Sequence, residues 1–229
     1  LTLAKQYYYM TFEDLKLHNS LQKAVKDQNY ETPTSIQAKA IPLLLDKNDV
    51  LGTAQTGTGK TAAFSLPILH HLENESQNQG RRKVKALIVT PTRELAIQIA
   101  ENFTDYSKYN SIKNTVIYGG VKQMKQVKRL DAGVDVLIAT PGRLLDLIQQ
   151  GYITLKDVKY FVLDEADRML DMGFINDIKK IIKMLPEKRQ SLFFSATMPK
   201  NILELSKKIL KNPKNVSVAP VSSTAETIQ

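Results

Sequence analysis

The chain has 229 residues, of which 42% are hydrophobic, enough apolar side chain to bury the core of one large α/β domain or two small ones. It has no cysteine and three histidines, His18, His70 and His71, which excludes disulfides and thiolate metal sites and leaves zinc hydrolysis and Ser-His-Asp chemistry poorly provisioned. A formal charge of +9 favours a polyanionic partner such as nucleic acid, and no apolar run approaches the roughly 18 residues of a membrane span.

The first segment, 1–10, reads as a leader or upstream stretch, with Met10 a candidate natural start. Leu1 to Tyr9 lacks a basic region followed by an apolar core, so no signal peptide is expected and a soluble, cytoplasmic protein is the default. From Thr11 to Asn29, Leu17, Leu21, Ala24 and Val25 recur at helical spacing and predict one short amphipathic helix. In Tyr30 to Gln37, Pro33 disfavours helix at Thr32. The next helix should therefore start at a cap on Thr34 or Ser35 and run towards Leu45, with a kink at Pro42.

The apolar pair Val50-Leu51 then leads into Ala54-Gln55-Thr56-Gly57-Thr58-Gly59-Lys60-Thr61, followed by a helix-compatible stretch from Ala62 to Leu72. Strand, glycine loop and helix, in that order, are what a phosphate cradle requires. The glycines allow a tight turn with N–H groups pointing into one concavity, and the helix adds its positive end. Lys60 has the reach for β/γ-phosphates and the Thr61 hydroxyl can ligate Mg²⁺. The position usually held by the first glycine of such a loop is Ala54. The plainer reading is a glycine-rich turn with an exposed lysine.

Glu73 to Lys83 is polar and predicts an exposed loop. Beyond it, apolar β-type runs alternate with helical patterns: Ala86–Val89, Thr115–Tyr118, Val134–Ala139, Tyr160–Leu163, Leu192–Phe194 and Val216–Val218. Such alternation predicts an α/β fold with a mostly parallel sheet covered on both faces, and chemistry at the carboxyl ends of its strands. Residues 11–218 should form the domain, and the Pro/Ser/Thr-rich stretch from Ala219 to Gln229 a linker.

Phe161-Val162-Leu163 runs directly into Asp164-Glu165-Ala166-Asp167. A buried strand ending in adjacent carboxylates can deliver one to Mg²⁺ and the next to the attacking water of a phosphoryl transfer. The alternative is an acidic surface turn.

With these residues the sequence resembles the DEAD-box ATP-dependent RNA helicases, whose name spells Asp164 to Asp167. Ala54 to Thr61 is similar to that family's motif I, and Tyr30 to Gln37 to its Q motif, with Phe12 upstream. Pro91-Thr92-Arg93-Glu94-Leu95-Ala96, Gly119-Gly120, Thr140-Pro141-Gly142-Arg143 and Ser195-Ala196-Thr197 resemble the remaining motifs of the first RecA-like domain, in order. The stretches Arg168 to Phe174 and Tyr106 to Tyr109 look most like the bacterial RhlE-type subgroup. Asn29 stands where the family usually has glycine, but asparagine tolerates the left-handed backbone, so the turn is expected to survive. Ser35 stands where proline is common.

The resemblance implies roles. Gln37 would read adenine, helped by the backbone near Thr32, with Phe12 stacked on the ring. The residues alone also allow a solvated Gln37 and a core Phe12. Lys60, Gln55 to Gly59 and Thr61 would hold the phosphates of ATP, Thr61 and Asp164 the Mg²⁺, and Glu165 the water. Asp167, Ser195 and Thr197 would couple the nucleotide site to domain closure, unless the last two only cap a helix. Pro91, Thr92, Arg93, Gly119, Gly120, Thr140, Pro141, Gly142 and Arg143 would contact the RNA backbone without reading bases, with Arg93 and Glu94 also candidates for a structural role, paired with each other or with neighbours. Lys122, Lys125, Lys128 and Arg129 form a basic stripe opposite an apolar face of Val121, Met124, Val127 and Leu130, either an extension of the RNA track or a solvated face. The family's second RecA-like domain, with its arginine-rich motif, is the implied partner, and nothing like it follows Gln229. Oligomeric state is not legible. The rival readings are a non-catalytic RNA clamp switched by nucleotide and a DNA helicase or translocase.

Overall fold

The structure, a computed structural model, describes residues 10–75 and 80–218. The expected leader (apart from Met10), the expected linker from Ala219 and residues 76–79 of the expected polar loop lie outside the described residues.

Each of the apolar runs becomes a strand. They are β1 (Val50–Thr53), β2 (Ala86–Val89), β3 (Asn114–Ile117), β4 (Val136–Ala139), β5 (Tyr160–Leu163), β6 (Gln190–Ser195) and β7 (Lys214–Ser217). They form one sheet in the order β3-β4-β2-β5-β6-β1-β7, and every neighbouring pair is parallel. Strands β2, β4, β5 and β6 are buried at every residue, as their uninterrupted apolar character requires. Alternate side chains feed two cores. Ile88, Val162 and Phe194 enter one, and Leu87, Val89, Phe161, Leu163 and Phe193 the other. In β1 the alternation meets Gly52, where any Cβ would collide with the Phe194 ring.

The helices are α1 (Asn19–Asp27), α2 (Ser35–Leu45), α3 (Lys60–Asn74), α4 (Arg93–Tyr106), α5 (Met124–Asp131), α6 (Pro141–Gln149), α7 (Ala166–Asp171), α8 (Ile175–Met184) and α9 (Lys200–Ile209). None among the described residues is long and apolar enough to cross a membrane.

Several local expectations change. The single helix expected over Thr11–Asn29 is a 3-10 turn at Glu13–Leu15, closed by Lys16 at φ 51°, followed by the separate helix α1. Asn29 does take the left-handed conformation (φ 56°). Helix α2 starts at a capping box: Thr34 is the cap and Gln37 the reciprocating residue. It runs past Pro42 to Leu45, just as α3 runs past Pro67 to Asn74, so Glu73 and Asn74 belong to a helix and not to a loop.

The segment before α2 is fastened to the domain by aromatic and polar contacts. The Phe12 ring lies 5.9 Å from that of Tyr30, and the Tyr30 and Tyr106 hydroxyls are 3.4 Å apart. Lys108 and Tyr109 both donate to Asp27 Oδ2, at 2.7 and 2.6 Å.

Candidate active site

The glycine loop leaves the end of β1 and closes on the start of α3. Gly57 (φ 84°) and Gly59 (φ 91°) hold backbone conformations that only glycine adopts without strain. The loop is braced from α2. Thr34 Oγ1 donates to the Thr58 carbonyl at 2.9 Å, and Gln37 Nε2 donates to the Gly59 carbonyl at 3.1 Å. The Gln37 Oε1 accepts from the Thr34 N–H at 2.9 Å. A Cβ on Gly59 would lie 2.5 Å from Gln37 Nε2 and 2.8 Å from Thr34 Oγ1, so space as well as backbone angle demands glycine there. Within the loop, Thr58 Oγ1 donates to the Gln55 carbonyl at 2.8 Å. Gln55, Thr56 and Gly57 face solvent, and Thr61 sits half-buried in the first turn of α3.

Lys60 is buried, at 6% exposure. Its ammonium donates to the Ala54 carbonyl at 3.3 Å and lies 3.5 Å from Asp164 Oδ1. Sheet order explains the meeting. Strand β6 separates β5 from β1, so the residue after β5 arrives beside the loop that follows β1. Asp164 is itself buried, and its N–H donates to the Val89 carbonyl at 3.0 Å. Burial pushes its carboxyl above the usual carboxylate range; Lys60 opposes the shift and Glu165 adds to it.

Glu165 adopts φ 56°, ψ 51°, a left-handed conformation costing an L-residue on the order of 1–2 kcal/mol. The turn aims its carboxylate at the loop: Thr56 Oγ1 donates to Oε1 at 2.9 Å, and Arg168 Nη1 lies 3.3 Å from Oε2. Asp167 points to the end of β6. The Thr197 N–H and Oγ1 both donate to its Oδ2 at 2.9 Å, and the Asp167 N–H donates to Ser195 Oγ at 3.2 Å. Burial would raise this carboxyl, but the hydrogen bonds from Thr197 and Ser195 outweigh it and hold the group below the usual range.

The other two adenine candidates are dissimilar. Thr32 is exposed in the turn before α2, whereas Phe12 is 5% exposed and belongs to a core cluster. For a metal, Asp164 and the Thr61 hydroxyl are hard oxygen donors of the kind Mg²⁺ takes. No group of three or more His, Asp or Glu suited to a metal occurs among the described residues.

A second set of loops gathers where β2, β3 and β4 end. Pro91 is buried. Thr92 caps α4, its Oγ1 accepting from the Leu95 N–H at 3.3 Å. Arg93 does not pair with Glu94; its guanidinium stands 4.9 Å over the Tyr118 ring. Gly119 and Gly120 are exposed, Gly120 with φ 78°, and side chains added at either would meet nothing within 4 Å. Thr140 caps α6, with Pro141 at its first position and Gly142 exposed in the first turn. Arg143 is turned inward: Nη2 donates to the Val121 carbonyl at 3.0 Å, Nε lies 3.4 Å from Asp146 Oδ2, and Nη1 is buried without a partner.

Sequence reasoning missed Gln126. Its carboxamide brackets Tyr118, accepting from the N–H at 3.2 Å and donating to the C=O at 3.1 Å. It thereby fixes the chain where it enters Gly119-Gly120. The available signal was a polar residue next to Val127 and one turn before Leu130 on the inner face of α5. Met124, assigned to that face, is instead 72% exposed, because it opens the helix and has no turn before it to pack under.

The fold and the loop together define a P-loop nucleotide-binding domain of the RecA-like kind. The family described as DEAD/DEAH box helicase matches residues 34–205, three-quarters of the chain, and the chain belongs to that family. It is 45% identical over 218 residues to the DEAD-box ATP-dependent RNA helicase RhpA of Helicobacter pylori, covering 95% of this chain and 43% of that protein. It is 43% identical to the ATP-dependent RNA helicase CshA of Limosilactobacillus reuteri, covering 96% and 43%, and 44% identical to the ATP-dependent RNA helicase DeaD of Escherichia coli, covering 95% and 34%. A crystal structure of a DEAD box protein from the hyperthermophile Methanococcus jannaschii superposes with a TM-score of 0.85 at 42% identity, over 92% of this chain and 56% of that one. The chain therefore spans less than half the length of these three curated relatives.

Proposed function

We propose that this chain is the ATP- and RNA-binding half of an ATP-dependent RNA helicase. The observation that carries it is the meeting of Lys60, Asp164 and Glu165 at the glycine loop, on the sheet edge that also presents Thr92, Gly119-Gly120 and Gly142. Lys60 leaves the Ala54 carbonyl for the β/γ-phosphates of ATP, and the loop N–H groups receive the rest of the phosphate chain. Thr61 and Asp164 would hold Mg²⁺, which would supply charge neutralisation on the transferring phosphate. Glu165 orients the attacking water once Thr56 releases it. Gln37 retains a second N–H and a second lone pair, so it can meet the adenine edge without letting go of Gly59. The exposed turn at Thr32 is free to border the base, whereas Phe12, buried against Tyr30, backs that turn and does not offer its face to the ring.

RNA lies with its phosphates against Pro91–Arg93, Gly119-Gly120 and Thr140–Gly142, with Arg143 bracing the Val121 carbonyl behind them. The bare glycines allow close approach and the N-termini of α4 and α6 favour the phosphate charge. None of these groups is placed to read bases, so binding is largely independent of sequence. Asp167, held by Ser195 and Thr197, joins the end of β5 to the end of β6. It is the connection through which a second RecA-like domain, closing over ATP and RNA, would sense both. The RNA helicases among its relatives support RNA as the nucleic acid, and Arg168 to Phe174 supports the RhlE-type subgroup. A net charge of +9 suits a cytoplasmic setting, where a nucleic-acid partner is at hand.

The test is Glu165→Gln in the full-length protein. It keeps the shape of the site and should bind ATP about as tightly while losing RNA-stimulated hydrolysis. Unchanged turnover would remove Glu165 from the chemistry and favour a different catalytic group. Lys60→Ala removes a charge-assisted phosphate contact and should lower ATP affinity by about 1.5–3 kcal/mol, roughly ten- to a hundredfold. Calorimetry checks it. Stimulation of the ATPase by DNA as strongly as by RNA would favour the translocase reading.

A further inference from the structure

Two of the candidate RNA loops converge on the short segment that carries the third. Tyr118 receives Arg93 on its ring and Gln126 on its backbone, and the Val121 carbonyl receives Arg143. Helix α5 begins directly after this hub and is locked to it by Gln126, a residue of the helix itself. Whatever α5 displays is therefore held in fixed register with Gly119-Gly120.

Its outer side displays cations. Lys122, just before the helix, and Lys125 and Lys128 within it are all exposed, and none forms an ion pair among the described residues. The one acidic residue of the helix, Asp131, is engaged by Arg81 at 3.4 Å. Arg129 turns to a separate cavity of about 320 Å³ shared with Glu101 and Asp105, and takes no part. Exposed Met124 lies among the lysines. A solvated basic face needs neither an apolar side chain in its middle nor rigid coupling to a phosphate-binding loop.

We propose that Lys122, Lys125 and Lys128 form an auxiliary RNA-backbone site that carries the strand onward from Gly119-Gly120, with Met124 resting on a sugar or base face. The proposal rests on the RNA-binding reading above. Lys125 and Lys128 stand three helical residues apart, about 4.5 Å of rise, and Lys122 extends the row from the segment just before the helix. Three lysines so placed match roughly two to three phosphates of a stacked strand at ~3.4 Å each.

The experiment is the salt dependence of RNA affinity in the full-length protein, measured with single-stranded RNAs of about 8 and about 20 nucleotides. Replacing Lys122, Lys125 and Lys128 together by alanine should flatten the log–log salt slope by about two on the longer RNA. It should leave the shorter RNA and ATP affinity almost unchanged. Replacing the same three by arginine, which keeps the charge, should restore the slope. An unchanged slope on the longer RNA, or an equal loss on both lengths, overturns the auxiliary site while leaving the helicase reading intact. Failure of the unsubstituted protein to bind RNA at any salt would remove that reading, and this proposal with it.

Discussion

Gln37 uses both ends of its carboxamide inside the protein, accepting from the Thr34 N–H and donating to the Gly59 carbonyl. It is both the reciprocating residue of the α2 cap and the latch on the phosphate loop. Gln37→Ala should therefore cost about 1–3 kcal/mol of stability, since a half-buried carbonyl and an N–H lose their partners together. It should also relax the preference for ATP over GTP. Urea denaturation reads the first effect and competition binding the second. Loss of stability with discrimination intact would leave the latch and discard the adenine role. The expectation of an adenine contact came from the family resemblance, and a carboxamide before a phosphate loop suits adenine. The latch was hidden, because it depends on a carbonyl 22 residues away whose direction follows from the left-handed turn at Gly59. Glu165 shows the same limit: its identity was plain, but its left-handed backbone and its bond from Thr56 were not. Arg143 looked like a free phosphate donor and is instead tied to Val121 and Asp146.

Between elements, the clearest link is Asp167, which joins the start of α7 to the residues following β6. Its carboxyl is held below the usual range, so the folded state binds this proton less readily than the unfolded chain. The stabilisation is present above the unfolded value, near ~4, and is lost as pH falls through the lower folded value. The stability gap between the parent chain and Asp167→Asn should therefore be widest at neutral pH and close as pH drops below about 4. Urea midpoints across that range check it, and a gap that widens on acidification would reverse the sign. A second test at this scale is Gly52→Ala, which drives a methyl into the Phe194 ring and should cost about 1–3 kcal/mol by overpacking. Elements were legible where one signal dominated. The apolar runs gave all seven strands to within about two residues, because a strand buried on both faces tolerates little else. The helix expected over Thr11–Asn29 failed because the reversal at Lys16 leaves no trace in hydrophobic spacing. Pro42 and Pro67 each sit within a helix that tertiary packing sustains beyond them.

At the scale of the whole molecule, the sheet order β3-β4-β2-β5-β6-β1-β7 was not readable from the chain, although a parallel sheet was. That order does two things together. It puts Asp164 and Glu165 beside the loop after β1, and it sends the ends of β2, β3 and β4 to the other side as a separate face of glycines and helix N-termini. Both sites stand on one edge of one sheet, and both are open away from it. The cations tied to the nucleotide site here are Lys60, against Asp164, and Arg168, against Glu165. In the structure both neutralise carboxylates. Phosphoryl transfer needs positive charge aimed at the developing charge on the phosphate, and Lys60 alone supplies little of it. We therefore predict that this chain by itself binds ATP or ADP weakly and hydrolyses ATP slowly whether or not RNA is present. Full-length protein, with a second domain closed over the same edge, should show strong stimulation by RNA. Single-turnover hydrolysis of radiolabelled ATP, with and without RNA, compares the two. RNA-stimulated turnover by the chain alone at the full-length rate would show that every group the reaction needs already lies between Phe12 and Val218.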